Sequence, residues 1–223
     1  MNALRRPYII LSAAMTIDGK IASKVGDPEL SDEEDWKEVH KLRSQVDAIM
    51  VGKGTILKDD PKLHIKYYDH DGYYRIVADS KLSIPLNAKV VDFQPRLYPT
   101  IIITTKEAPP EKIKLFSDKK VKIIHAGTEG EVDILEALTG LNKLGINRIL
   151  LEGGGTLNWS FIKEDLIDEM RLTLAPWMIG GKHATSLVEG AGFEKMSQAP
   201  RFTLIKLEDR NNYVLLHYKR IRK

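Results

Sequence analysis

From Tyr8 to Glu152 the chain alternates short apolar runs with stretches whose apolar residues recur at helical spacing. Tyr8 to Ala14 is the first run, and it ends in "MTIDGK", where Asp18-Gly19 signals a turn. Ser31 reads as an N-cap with Glu34 three residues on, the reciprocal capping pattern that opens a helix. That helix places Trp36, Val39, Leu42 and Val46 near one face. The apolar run "AIMVG" (48–52) predicts a buried strand, followed by the loop "GKGTILKDDP". Further strands fit Tyr74 to Ala78, Thr100 to Thr104, Val121 to His125 and Arg148 to Glu152. Ile134, Leu135, Leu138, Leu141 and Leu144 recur as a helix between the last two.

Strands that are near-continuous Ile, Val and Leu, alternating with helices, predict an α/β fold with a mostly parallel central sheet and helices on both faces. Beyond the glycines at 153–155 the pattern changes. Met170, Leu172 and Leu174 alternate with polar residues, Phe202, Leu204 and Leu207 do so less strictly, and "YVLLHYKRI" forms a last strand. This predicts an antiparallel C-terminal edge. No low-complexity linker or internal repeat interrupts the chain, so a single domain over 1–223 is expected.

Composition narrows the chemistry. The 223 residues are 43% hydrophobic and 29% charged with a formal charge of +3, which fits a globular protein and a small acidic ligand. The densest basic run, "HYKRIRK" (217–223), reads as a solvated terminal strand rather than a nucleic-acid arm. There is no cysteine, which removes disulfides, thiolate nucleophiles and Cys-ligated zinc together. Ser12, Thr16 and Asp18 break the first apolar run too early for a signal peptide or membrane span, so a cytoplasmic protein is expected.

In an open α/β sheet ligands bind outside the carboxyl ends of the strands, which singles out Gly52 to Pro61, Ala78 to Leu82 and Glu152 to Asn158. In "EGGGTLN" three glycines lie between a strand and a helix. Small residues there let N–H groups face an anion; the competing reading is a tight strand–helix crossing. The spacing matches neither G-x-G-x-x-G nor the phosphate loop of nucleoside triphosphatases. Asp59 and Asp60 could serve acid–base work, with turn and capping duty expected of at least one. The six histidines form no H-x-x-x-H pair, and no metal site is expected.

"SAAMTIDGKIA", "VDAIMVGKGTILKDDPKL", "RIVADSKL", "LLEGGGTLN" and "IGG" occur in the order and spacing of the riboflavin-biosynthesis reductases. The chain resembles their stand-alone archaeal and fungal type, which acts on 2,5-diamino-6-ribosylamino-4(3H)-pyrimidinone 5′-phosphate, from about Pro7 to the last strand. The resemblance implies a dihydrofolate-reductase-like fold, a homodimer and NADPH. It assigns Gly153, Gly154, Gly155 and Thr156 to the cofactor phosphates and Thr55 and Asp59 to a second cofactor contact. Asp79, Ser80, Lys81 and Leu82 fall near the adenosine ribose, where Ser80 and Lys81 would suit a 2′-phosphate. Asp18, Lys20, Arg43 and Glu152 fall near the ribosyl phosphate and pyrimidine, with Glu152 or Lys20 handling the proton. Lys66, with His64 nearby, stands where bacterial relatives carry Arg, offering a point charge in place of a fork. The implied reaction opens the ribosylamino sugar to an imine and reduces it to the ribitylamino product before deamination. The rival readings are another dihydrofolate-reductase-like pteridine or pyrimidine reductase, a non-enzymic NADP-binding module, and a nucleic-acid protein.

Overall fold

The computed structural model describes residues 6–128 and 130–222. In chain order it begins with β1 (Tyr8–Thr16), α1 (Glu33–Arg43), β2 (Ala48–Gly52), α2 (Lys53–Asp59) and β3 (Tyr74–Ala78). It continues with α3 (Lys89–Asp92), β4 (Thr100–Thr104), α4 (Pro110–Asp118), β5 (Lys122–His125), α5 (Ile134–Lys143) and β6 (Arg148–Gly153). Then come α6 (Gly155–Lys163), β7 (Glu169–Ala175), a 3₁₀ turn at Met196–Gln198, β8 (Phe202–Arg210) and β9 (Tyr213–Arg220). The chain divides into two compact units, one of His40–Leu150 with the residues up to Tyr8, the other of Ile9–Val39 and the residues from Leu151 onward.

The first unit holds the parallel strands in the order β5-β4-β3-β2. Ala48 to Val51 and Ile101 to Ile103 have no exposure at all, as runs covered on both faces require. α5 buries Ile134, Ala137, Leu138 and Leu141, and its N-cap Asp133 accepts the Glu136 N–H at 2.9 Å. The segment expected to be a loop after β2 is instead the helix α2, with Ile56 turned inward and Asp60 closing it in a left-handed conformation (φ 39°).

Arg75, in the middle of this apolar unit, is fully buried. Its Nη1 donates to the carbonyls of Lys62 (3.0 Å) and Lys89 (3.4 Å), and its Nη2 to those of Phe93 (2.9 Å) and Tyr98 (2.5 Å). Burial lowers its pKa from 12.5 to about 10, so it remains a cation at neutral pH. One side chain thus ties together the loop before β3, α3 and the turn leading to β4.

In the second unit β1 and β7 are parallel, and β7, β9 and β8 follow antiparallel, which is the predicted C-terminal edge. β8 and β9 form a hairpin through Asn211 and Asn212, both at positive φ (45° and 80°), as a tight two-residue turn requires. α1 departs from expectation at its start. Asp32, not Ser31, accepts the Asp35 N–H at 2.8 Å. Two adjacent capping oxygens compete there, and the later one wins. The buried positions of α1 are Asp35, His40 and Arg43, while Trp36 is 45% exposed and Val46 lies beyond the helix.

Candidate active site

In the second unit, β1 ends in a turn built around Thr16. Its hydroxyl donates to Asp18 Oδ1 (2.6 Å) and accepts the Lys20 N–H (2.9 Å), while Gly19 takes φ 75°. The Asp18 carboxylate also accepts the N–H groups of Ile179 (3.2 Å) and Gly180 (2.7 Å). The Thr16 hydroxyl and then the Gly180 N–H lower its pKa to about 2. Asp18 is therefore a permanent anion whose lone pairs hold the segment after β7. Lys20, two residues on, is half-buried, and its Nζ donates to Ser186 Oγ at 2.8 Å.

The glycine triplet has three separate reasons. A Cβ on Gly153 would lie 2.4 Å from the side-chain oxygen of Asn158, and the residue holds φ 59°. Gly154, at φ 89°, is the N-cap of α6 and supplies no side-chain cap. A Cβ on Gly155 would lie 2.5 Å from the Ser186 carbonyl oxygen and 2.6 Å from Glu189 Cγ. Gly155 O accepts the Glu189 N–H (3.0 Å), and Asn158 Nδ2 donates to the Leu187 carbonyl (2.8 Å). What approaches the first and third glycines is thus the protein's own segment 186–189 and the Asn158 amide. Asn158 Oδ1 is buried with no hydrogen-bond partner among the described residues. The uncapped N-terminus of α6, with Thr156 exposed in its first turn, suits an anionic group. Glu152 stands half-buried near the carboxyl end of β6.

In the first unit, the loops after β2 and β3 are also at carboxyl ends. Asp60 is the structural member of its acidic pair: Oδ1 accepts the Lys89 N–H at 2.7 Å. Asp59 is exposed, and Thr55 half-buried, on α2. Asp79 is fully buried, and its carboxylate accepts from the N–H groups of Lys81 (3.3 Å), Ser83 (2.5 Å) and Ile84 (2.9 Å) and from the Ser83 hydroxyl (2.8 Å). Those bonds fold the turn that presents Ser80 and Lys81, with Leu82 buried at φ 50°. The Ser80 carbonyl accepts both Thr104 and Thr105 hydroxyls (3.0 Å each), and Lys112 Nζ reaches the Leu82 carbonyl (3.1 Å). Lys112 was not legible beforehand, because α4 brings it to this turn from 30 residues away in sequence.

Arg43 is 6% exposed, and its Nη1 donates to the His64 carbonyl at 2.8 Å. His40, missed by periodicity, is 3% exposed and accepts the Lys66 N–H on Nδ1 at 2.9 Å. Burial first, then the Arg43 cation, lowers the His40 pKa to about 4, so its imidazole is neutral. These two side chains hold the segment that exposes Lys66. A groove of about 360 Å³ opens near the amino ends of β3 and β4, and none of the predicted site residues lines it. Among the described residues no group of three or more His, Asp or Glu is arranged to hold a metal ion, and no helix is long and apolar enough to cross a membrane.

A family model described as the RibD C-terminal domain matches residues 7–216. The 2,5-diamino-6-ribosylamino-4(3H)-pyrimidinone 5′-phosphate reductase of Methanothermobacter thermautotrophicus is 42% identical over 213 residues, 94% of each chain. The Aquifex aeolicus protein of the same name is 35% identical over 216 residues, 95% of this chain and 93% of the relative. A solved structure of Acinetobacter baumannii RibD superposes with a TM-score of 0.80 at 24% identity over 97% of this chain, which spans 58% of that one. The fold is thereby the dihydrofolate-reductase-like α/β fold. The chain belongs to the RibD C-terminal domain family of riboflavin-biosynthesis reductases.

Proposed function

We propose that this chain reduces the ribosylamino group of 2,5-diamino-6-ribosylamino-4(3H)-pyrimidinone 5′-phosphate to the ribitylamino product, with NADPH as hydride donor. The observation that carries the proposal is the 42% identity to the Methanothermobacter reductase across 94% of both chains. One family match across both units supports treating them as a single reductase domain. The uncapped α6 N-terminus behind Gly154 fits a cofactor phosphate, and the Ser80–Lys81 turn, with Lys112 beside it, fits a 2′-phosphate. Thr55 and Asp59 on α2 complete the proposed cofactor contacts. NADPH, when bound, supplies the hydride.

The protein's own residues then divide the remaining work. Lys20 meets the opened sugar or its phosphate, because its ammonium is held by a neutral hydroxyl and keeps its charge for a ligand. Lys20 or Glu152 supplies the proton that the reduced nitrogen or sugar oxygen takes up. Asp18 and Arg43 act by holding loops, since the carboxylate of one is occupied by backbone N–H groups and the guanidinium of the other is buried on a carbonyl. A homodimer in the cytoplasm remains part of the proposal. Leu204, Ile205 and Leu207, each 44% exposed or more on β8, offer an apolar strand suited to a second copy.

The test is NADPH oxidation with the amino substrate and with its deaminated counterpart, followed by product identification. The amino compound should be preferred, because exchanging a donor for an acceptor in a fitted pocket costs about 1–3 kcal/mol. Preference for the deaminated compound would overturn the substrate assignment. No oxidation with either would overturn the reductase itself.

A further inference from the structure

We propose that Ser186 is a positioning residue: its hydroxyl aims the Lys20 ammonium while its backbone is anchored on the glycine loop. The inference rests on the reductase reading above and adds to it a residue that none of the predicted motifs contains.

The geometry is specific. Lys20 and Ser186 face each other as an isolated antiparallel bridge, flanked by hydrogen bonds from Ile21 N to Thr185 O (2.9 Å) and from Leu187 N to Gly19 O (3.0 Å). The Ser186 hydroxyl then takes one of the three ammonium donors of Lys20 at 2.8 Å. On its other side, the Ser186 carbonyl sits where a Cβ of Gly155 would have been, and the next residues are bonded to Gly155 O and Asn158 Nδ2. Asp18 fastens the beginning of the same segment through Ile179 and Gly180. Segment 179–189 is therefore stitched to the "TIDGK" turn at one end and to the glycine loop at the other, with Ser186 at the junction.

The residue type matters as much as the place. A carboxylate at 186 would pair with the ammonium and compete with an anionic ligand. An alanine would leave a flexible four-carbon stem to choose among rotamers. A hydroxyl fixes direction without cancelling charge, leaving two N–H donors for substrate. Among the described residues no ion pair joins Lys20 to a carboxylate. Placing a reacting group correctly is the contribution such a tether can make to the rate.

The experiment compares Ser186→Ala and Ser186→Thr with the wild type. It follows kcat and KM for the amino substrate, the NADPH Kd, the thermal midpoint, and the Lys20 Nζ signal in ¹⁵N-lysine-labelled protein. Ser186→Ala should lower kcat about tenfold, with NADPH affinity and midpoint nearly unchanged and the Nζ signal shifted. Ser186→Thr, which restores the hydroxyl, should recover most of the rate. Wild-type kcat in Ser186→Ala would overturn the proposal while leaving the reductase reading intact. So would equal losses in both variants with a lowered midpoint, which would mark a packing role only. A wild-type protein that never oxidises NADPH would instead sink the reductase reading, and an unshifted Nζ signal would independently deny the tether.

Discussion

Arg75 and its surroundings can be set beside Lys20 and its turn. Arg75 is fully buried in the first unit and donates to four main-chain carbonyls. Lys20, half-buried in the second unit, gives one bond to a hydroxyl and has donors to spare. Both are cations without a carboxylate partner in these contacts, yet the first is built into the scaffold and the second is the one we propose for chemistry. What separates them is the accounting of donors. Arg75 has both Nη groups taken by backbone and its Nε buried without a partner, out of a ligand's reach, whereas a cation anchored through one neutral group still has donors to offer. Among the acidic residues, the carboxylates of Asp79 and Asp18 are likewise engaged by backbone N–H groups.

The sharpest way to break this comparison is to remove the scaffold cation. Arg75→Met should cost about 3 kcal/mol or more, because buried carbonyls lose their donors. Urea unfolding measures it, and a loss under about 1 kcal/mol would show that the carbonyls find other partners. Next in size is the pH dependence tied to His40. Its folded pKa of about 4 lies below the ordinary 6.5, so between those values the unfolded chain binds the proton and the folded one does not. Its contribution is complete above pH 6.5 and is lost as pH falls toward 4, by up to about 3 kcal/mol. Unfolding of wild type and His40→Gln across that window should converge at the acid end. A constant difference would contradict the buried neutral imidazole.

Two helix glycines, Gly155 opening α6 and Gly54 in α2, supply a smaller contrast of opposite signs. Gly155→Ala should destabilise by about 2 kcal/mol, since its Cβ would press on the Ser186 carbonyl. Gly54→Ala in α2 meets nothing within 4 Å and has no positive φ, so it should stabilise by about 0.5–1 kcal/mol. Thermal melting of both variants decides. Equal shifts would mean the two positions are not distinguished by packing.

Much of the fold was legible because its cause is local. Tyr74–Ala78 and Thr100–Thr104 are strands at the predicted bounds, since uninterrupted apolar runs between turn signals leave few alternatives. α1 was legible as a helix but not by face. Asp35 turns inward to receive the Thr173 hydroxyl at 2.5 Å, and His40 and Arg43 turn inward to partners 26 and 21 residues away, which a periodicity count cannot see. The candidate site divides the same way. "TIDGK" and "EGGGT" could be picked out as unusual strings, but Ser186 and Lys112 carry no local signal, and Asn158, inside the singled-out stretch, gives no hint of its Leu187 partner. Their roles exist only once distant loops meet Gly155, Lys20 and Leu82. Even the triplet's meaning was half hidden, because the group nearest Gly155 comes from more than 30 residues downstream.

The comparison of the two cations is tested most directly by Lys20→Ala, with turnover of the amino substrate, NADPH binding and thermal midpoint measured on one preparation. If Lys20 is the cation kept for chemistry, kcat/KM should fall by about 10²-fold or more, while NADPH Kd and the midpoint stay close to wild type. A variant that melts early and loses NADPH binding in proportion would place Lys20 with Arg75 in the scaffold. Undiminished turnover would contradict the account outright.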